Sequence, residues 1–217
     1  MSDAALSSSQ HGSSAHLFAD ESEVLGKIND SPTNLCVWRR SPQPALEQEL
    51  SRLRADSLPD LRCSTSLASF DQSLRALFQS RGLDPAEFRH WIADMGLLAQ
   101  HFFNVRPSLA VNVRLVTMDD VSCPRFHVDH SNLRLLCTYR GPGTEWLAND
   151  QVDRAAQASG ASNEDMIRFG APEQFQPFWV GIMKGSAYPG NSESGLVHRS
   201  PAVHGPDQMR VLFCLDS

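Results

Sequence analysis

Near residue 106 the hydrophobic pattern of this chain changes period, and that change limits what it can fold into. Upstream, Phe88, Trp91, Ile92, Met95, Leu98 and Phe102 recur at the spacing of one helix face. Downstream, Leu109, Val111, Val113 and Leu115 alternate with Ala110, Asn112 and Arg114, the two-residue spacing of a strand with one buried face. Helices first and short, turn-bounded strands after predict an α+β fold whose strands form a β-sandwich or jelly-roll barrel.

The upstream part divides further. After Ser41-Pro42, Leu46, Leu50 and Leu53 mark one helix face. A second helix is predicted from Ser69, carrying Phe70, Leu74, Leu77 and Phe78 and ending before Gly82. For the third, Asp84, Pro85 and Glu87 have the spacing of a capping box with proline at the first helical position. Downstream, strands are predicted at Leu133–Arg140, ending in Gly141-Pro142-Gly143, at 178–183, and at 209–216 with Val211, Phe213 and Leu215 on one face. Residues 149–176 fit a short helix or a long loop. Residues 1–30, Ser-rich at the start and holding His11 and His16, are expected to be a disordered tail, because they bury too little apolar surface to offset ordering entropy. Residues 31–217 are expected to form one domain, with a helical buttress over 31–107 and a jelly-roll barrel over 108–217.

Composition narrows the function. A length of 217 residues, 41% hydrophobic and 20% charged, suits one domain with a real core. The net charge of −6 and the lack of a basic stripe argue against a nucleic-acid partner. Five scattered cysteines make no CxxC pair and no disulfide framework. No basic-then-apolar leader and no run of membrane-spanning length is read, so a cytoplasmic location is expected. GxSxG, P-loop and GxGxxG motifs are absent.

One stretch carries chemistry. In extended chain, residues two apart share a face, so His127 and Asp129 of Phe126-His127-Val128-Asp129-His130 can chelate one ion from a single strand end. The third ligand must come from elsewhere, and His198 and His204 are the candidates. His198 follows the apolar pair Leu196-Val197 and is favoured; His204 precedes Gly205-Pro206 and reads as a loop residue. Two imidazoles and a carboxylate make the facial donor set of non-haem Fe(II) sites. The plainer readings are a strand-end ion pair for His127 and Asp129, a turn histidine for His198, and a surface residue for His130. Arg210 lies twelve residues past His198 and has the planar fork that takes a carboxylate bidentately, or it is a salt-bridging arginine at a strand start. Tyr139 to Trp146 reads either as a pocket rim, with Tyr139 donating to a cosubstrate, or as a tight turn with Trp146 over the core.

The segments FHVDHSNLRLLCTYRGPGTEWL (126–147), GLVHRSP (195–201) and RVLFCLD (210–216) resemble the bacterial family called domain of unknown function 1826. More distantly they resemble the prolyl-hydroxylase-like branch of the 2-oxoglutarate oxygenases. The first resemblance implies no reaction, but it groups these motifs and suggests a setting in zinc-responsive regulons beside metal-chaperone GTPases. The second implies a double-stranded β-helix of cupin-like type, iron bound by His127, Asp129 and His198, and 2-oxoglutarate anchored by Arg210 and touched by Tyr139. The expected function is therefore an Fe(II)/2-oxoglutarate-dependent dioxygenase acting on an unidentified small molecule or protein side chain. The alternatives are a non-catalytic zinc-binding protein of metal homeostasis using the same ligands, or the same fold without metal.

Overall fold

The computed structural model describes residues 15–54, 61–108, 110–118, 123–202 and 209–217. The sequence expectations for residues 1–14, Leu109 and His204 fall outside these. In chain order the elements are β1 (His16–Ala19), a 3₁₀ helix (Ser22–Asn29), β2 (Leu35–Trp38), α1 (Pro44–Leu50), β3 (Leu61–Thr65), α2 (Phe70–Ser80) and α3 (Arg89–Val105). Then follow β4 (Val111–Met118), β5 (Leu133–Arg140), β6 (Glu145–Trp146), α4 (Arg154–Ser159), α5 (Asn163–Met166), β7 (Glu173–Gln174), β8 (Val180–Lys184), β9 (His198–Arg199) and β10 (Arg210–Asp216). Among the described residues these strands make two sheets, one ordered β1-β2-β8-β5-β10-β4-β3 and one ordered β7-β6-β9. The chain is an α+β protein built on the larger sheet.

Strand alternation sets the two faces of that sheet. Val211, Phe213 and Leu215 of β10, Val111, Val113 and Leu115 of β4, and Leu133, Leu135, Cys137 and Tyr139 of β5 join one core with the helices. All six apolar residues of the predicted α3 stripe are buried in it, as their helical spacing requires. The opposite face of the same strands carries Arg210, Leu212 and Cys214, Arg114 and Val116, and Arg134 and Leu136, which line a cavity. Leu136 and Cys214 also pack with Trp146, Phe175 and Leu196, joining this face to the elements of the smaller sheet.

Three expectations need correction. Residues 15–30 are ordered: β1 pairs in parallel with β2, and Leu25 and Ile28 of the 3₁₀ helix are 1% and 0% exposed. His16 therefore lies in a strand, its ring edge against Trp146. Short polar stretches can be held by a sheet edge that lies distant in sequence, and composition does not register that. Residues 31–107 are not purely helical, because β2 and β3 insert into the large sheet. Finally, α3 begins at Arg89, since Asp84 instead accepts the amide of Ala86 in a tight turn. Its first amides are satisfied from outside: the Glu49 carboxylate of α1 accepts His90 N at 3.1 Å and Trp91 N at 2.9 Å.

The middle region resolves into α4 and α5, each with a side-chain cap, Asp153 accepting Ala156 N and Ser162 accepting Asp165 N. The Gly141-Pro142-Gly143 turn brings β6 against β7. A side chain at Gly143 would put a Cβ 1.9 Å from the Phe175 carbonyl, so only glycine fits.

Candidate metal centre

His127 and His198 are held by their backbones. His127 N donates to His198 O and His198 N to His127 O, both at 3.0 Å, forming one hydrogen-bonded antiparallel bridge. Opposed residues of such a pair project to the same face, and the two ring centroids lie 4.6 Å apart. β9 is pinned on its other side by β6, where Trp146 pairs with His198. Asp129 enters from the loop after His127. Its carbonyl accepts Ser186 N at 2.9 Å, and Gly185 permits this approach, since a Cβ there would lie 2.6 Å from Asp129 O and 2.3 Å from Ser131 O.

The side chains then converge. One ligand atom from each of His127, Asp129 and His198 lies within 4.8 Å of the other two. His198 Nε2 is 3.1 Å from Asp129 Oδ2, and His127 Nε2 is 3.7 Å from Asp129 Oδ1. Two donors each ~2.1 Å from one ion at right angles would stand ~3.0 Å apart, so these separations suit a shared cation.

The hydrogen bonds of the rings add a second test of fit. His127 Nδ1 is 2.9 Å from Arg125 O, and His198 Nδ1 is 3.1 Å from Leu196 O. A carbonyl can only accept, so both Nδ1 atoms carry the proton and both Nε2 lone pairs face the carboxylate. Lone pairs aimed at an anion repel it unless a cation lies between or the ring takes a second proton. Burial and the neighbouring His198 depress the His127 imidazole below its ordinary value, against the raising pull of Arg125 O and Asp129, which disfavours the second proton. The donor set therefore fits a divalent metal ion.

Asp129 is held ionised. Burial works against its charge, but positive charge on His198, then on Arg134 and His127, brings its carboxyl well below the usual range. Arg134 Nη1 donates to Asp129 Oδ2, while its Nε and Nη2 reach Asp216 Oδ1 and Oδ2 at 2.5 and 3.2 Å. This bridge orients the carboxylate from behind and ties it to the end of β10.

Beside the histidines lies a cavity of about 60 Å³, lined by His127, His198, Arg134, Arg114, Thr144 and Arg210 among others. Arg210 is 1% exposed. Its Nη2 donates to Thr144 Oγ1 at 2.7 Å and its Nη1 to Ser200 Oγ at 3.3 Å, while its Nε is buried without a partner. Among the described residues it has no carboxylate partner, and burial pulls its guanidinium down to about 10. It is thus no surface arginine, and among the described residues it is not salt-bridged.

Tyr139 does not join this group. It shares parity with Leu135 and Cys137, so it faces the helices, where its hydroxyl donates to Asp94 Oδ2 at 2.6 Å. Asp94 is also clasped bidentately by Arg40 at 2.6 and 2.7 Å. The expected cosubstrate contact through Tyr139 is overturned by strand alternation. His130 is exposed, 3.1 Å from Ser186 Oγ, and outside the cluster. Trp146 is a core residue, whereas Glu145 pairs with Arg199 at 2.6 Å. The sequence reading missed Arg114, Arg134, Thr144 and Ser200. For Arg134 and Arg114 the signal was present, since each shares strand parity with a cavity-lining neighbour.

Fold and site together define a chain with a two-histidine, one-carboxylate donor set beside a buried arginine. Residues 19–216 match the family described as Protein of unknown function (DUF1826), and the chain belongs to that family. No curated protein matches it. Among solved structures the chain is similar to the dioxygenase for auxin oxidation from rice, at 15% identity over 93% of this chain and 81% of that one, TM-score 0.48. It is similar to a full-length Neurospora crassa protein in complex with alpha-KG and 5-formyluracil, at 12% identity over 90% and 76%, TM-score 0.44. A third likeness is to a Pseudomonas putida prolyl-4-hydroxylase, at 11% identity over 81% and 93%, TM-score 0.34. At these identities and scores the likeness carries over no residue role, substrate or activity.

Proposed function

We propose that the protein is a non-haem Fe(II)/2-oxoglutarate-dependent oxygenase, with its two sheets forming a double-stranded β-helix. The observation that carries this reading is the convergence of three donors, two of which, His127 and His198, line the same cavity as a buried arginine that lacks a carboxylate partner among the described residues. A metal site alone has no use for that arginine. Burying an uncompensated charge costs several kcal/mol, an expense that an anionic ligand would offset.

His127 and His198 would hold the metal through Nε2, and Asp129 would complete one face, leaving other positions open. Iron and 2-oxoglutarate, when bound, would supply the oxygen activation, with O₂ as the oxidant and 2-oxoglutarate as the two-electron reductant that leaves as succinate and CO₂. The chain's part is binding and orientation. Arg134 fixes the Asp129 carboxylate, and the carbonyls of Arg125 and Leu196 fix the ring tautomers. Arg210, steadied by Thr144 and Ser200, would take the distal carboxylate of the cosubstrate through its planar fork.

Anaerobic addition of Fe(II) and 2-oxoglutarate should produce a weak visible charge-transfer band, followed in air by succinate release. Iron bound without the band refutes the reading. Zinc in protein purified without added metal, with no succinate after iron reconstitution, would replace it by the zinc-binding alternative, since zinc binds such donors more tightly than Fe(II).

A further inference from the structure

Four arginines line the cavity, and they are not equivalent. Arg134 is matched by Asp129 and Asp216, and Arg199 by Glu145. Among the described residues Arg210 and Arg114 have no acidic partner. Arg114 makes no hydrogen bond there, and its Nε is buried. It stands on β4 opposite Cys214 of β10, so four residues, or about 13 Å of strand, separate its rung from that of Arg210.

Charge balance gives the consequence. Among the described residues of the lining and their partners, four guanidiniums face three carboxylates, Asp129, Asp216 and Glu145, an excess of one positive charge. A divalent ion raises the excess to three, and a doubly charged cosubstrate lowers it to one. That remaining charge, on an arginine with an unsatisfied buried nitrogen, is a place for a second anion.

We infer that Arg114 binds the oxidised substrate, and that this substrate is an oxyanion-bearing small molecule, a carboxylate or a phosphate, held beside the metal. The inference rests on the oxygenase reading in one respect, that Arg210 is reserved for the cosubstrate. Arg114 acts here as a specificity-determining residue that touches substrate.

The test loads the protein with Mn²⁺, saturates it with 2-oxoglutarate, and titrates acetate or inorganic phosphate. The readout is paramagnetic relaxation of the anion's ¹³C or ³¹P signal. Wild-type protein should show saturable relaxation with at least one probe, acetate marking a carboxylate substrate and phosphate a phosphorylated one. Arg114→Gln should weaken that binding by about tenfold or more, the scale of one charge-assisted pair, whereas Arg114→Lys should retain most of it. In Arg114→Gln, 2-oxoglutarate affinity should stay within about twofold of wild type, while Arg210→Gln should lower it by about tenfold or more. The inference is overturned if neither probe saturates in wild type by about 10 mM. It is also overturned if Arg114→Gln binds both probes normally, or if it weakens 2-oxoglutarate as much as Arg210→Gln does. Wild-type saturation and the Lys variant remain informative should the Gln variant fail to fold. If 2-oxoglutarate does not bind but an anion does so through Arg114, the oxygenase reading falls and the Arg114 site stands.

Discussion

Replacing Arg134 by methionine tests the support behind Asp129. The substitution keeps much of the apolar stem and removes three hydrogen bonds, one to Asp129 and two to Asp216. Asp129 then keeps only the two histidines and Asp216 loses its guanidinium, with side chains only 14% and 15% exposed. Removing one partner of a buried ion pair costs about 3–5 kcal/mol. The residual exposure lets solvent screen part of this, so about 2–3 kcal/mol is expected. For a chain of this size that is a fall in Tm of roughly 5–10 °C, measured by calorimetry on chelator-treated protein. Adding Asp129→Asn to the variant should recover part of the loss, because the anion that lost its guanidinium is gone. The pH dependence has a definite sign. A carboxyl depressed in the folded state contributes stability present above its unfolded value near ~3.9 and lost as pH falls through the folded one. The gap between wild type and variant should therefore narrow in acid. A fall under about 2 °C, or a gap that widens on acidification, refutes the argument that Arg134 compensates buried charge.

Four further outcomes are expected. His127→Ala and His198→Ala should each abolish stoichiometric metal in elemental analysis, while His130→Ala leaves it unchanged, because only the first two reach Asp129. Tyr139→Phe should cost about 1 kcal/mol, the bond to Asp94, with unaltered 2-oxoglutarate affinity by calorimetric titration. Gly185→Ala should destabilise by about 2–3 kcal/mol and weaken metal binding, since the new Cβ meets two backbone carbonyls beside Asp129 that cannot yield like a side chain. Arg210→Met should leave the Tm of the ligand-free protein unchanged or higher, because a buried charge lacking a carboxylate partner among the described residues is removed. A Tm drop of more than a few degrees would show that its bonds to Thr144 and Ser200 outweigh that desolvation.

Much of the site is legible in local spacing. His127 and Asp129 are two apart, and the structure brings them to one point with His198, the partner favoured over His204. The α3 stripe and the buried face of β10 are equally legible, because a helix or strand exposes its period within a few residues. Tyr139 obeys the same rule against the expectation placed on its hydroxyl. Its parity with Leu135 and Cys137 puts it on the helix side of β5, out of the cavity's reach.

What the sequence by itself determined is the α3 stripe, the alternating faces of β4 and β10, and the His127–Asp129 pair, because each depends on repeat distances of two to four residues. Only the tertiary structure decided that residues 16–19 join the sheet, that Asp216 and Arg134 brace Asp129, and that Thr144 and Ser200 hold Arg210. Those partners lie from five to more than eighty residues apart along the chain. A charge can find its counter-charge only after strands from both ends of the sequence have been laid side by side, and no local period encodes which strands those are.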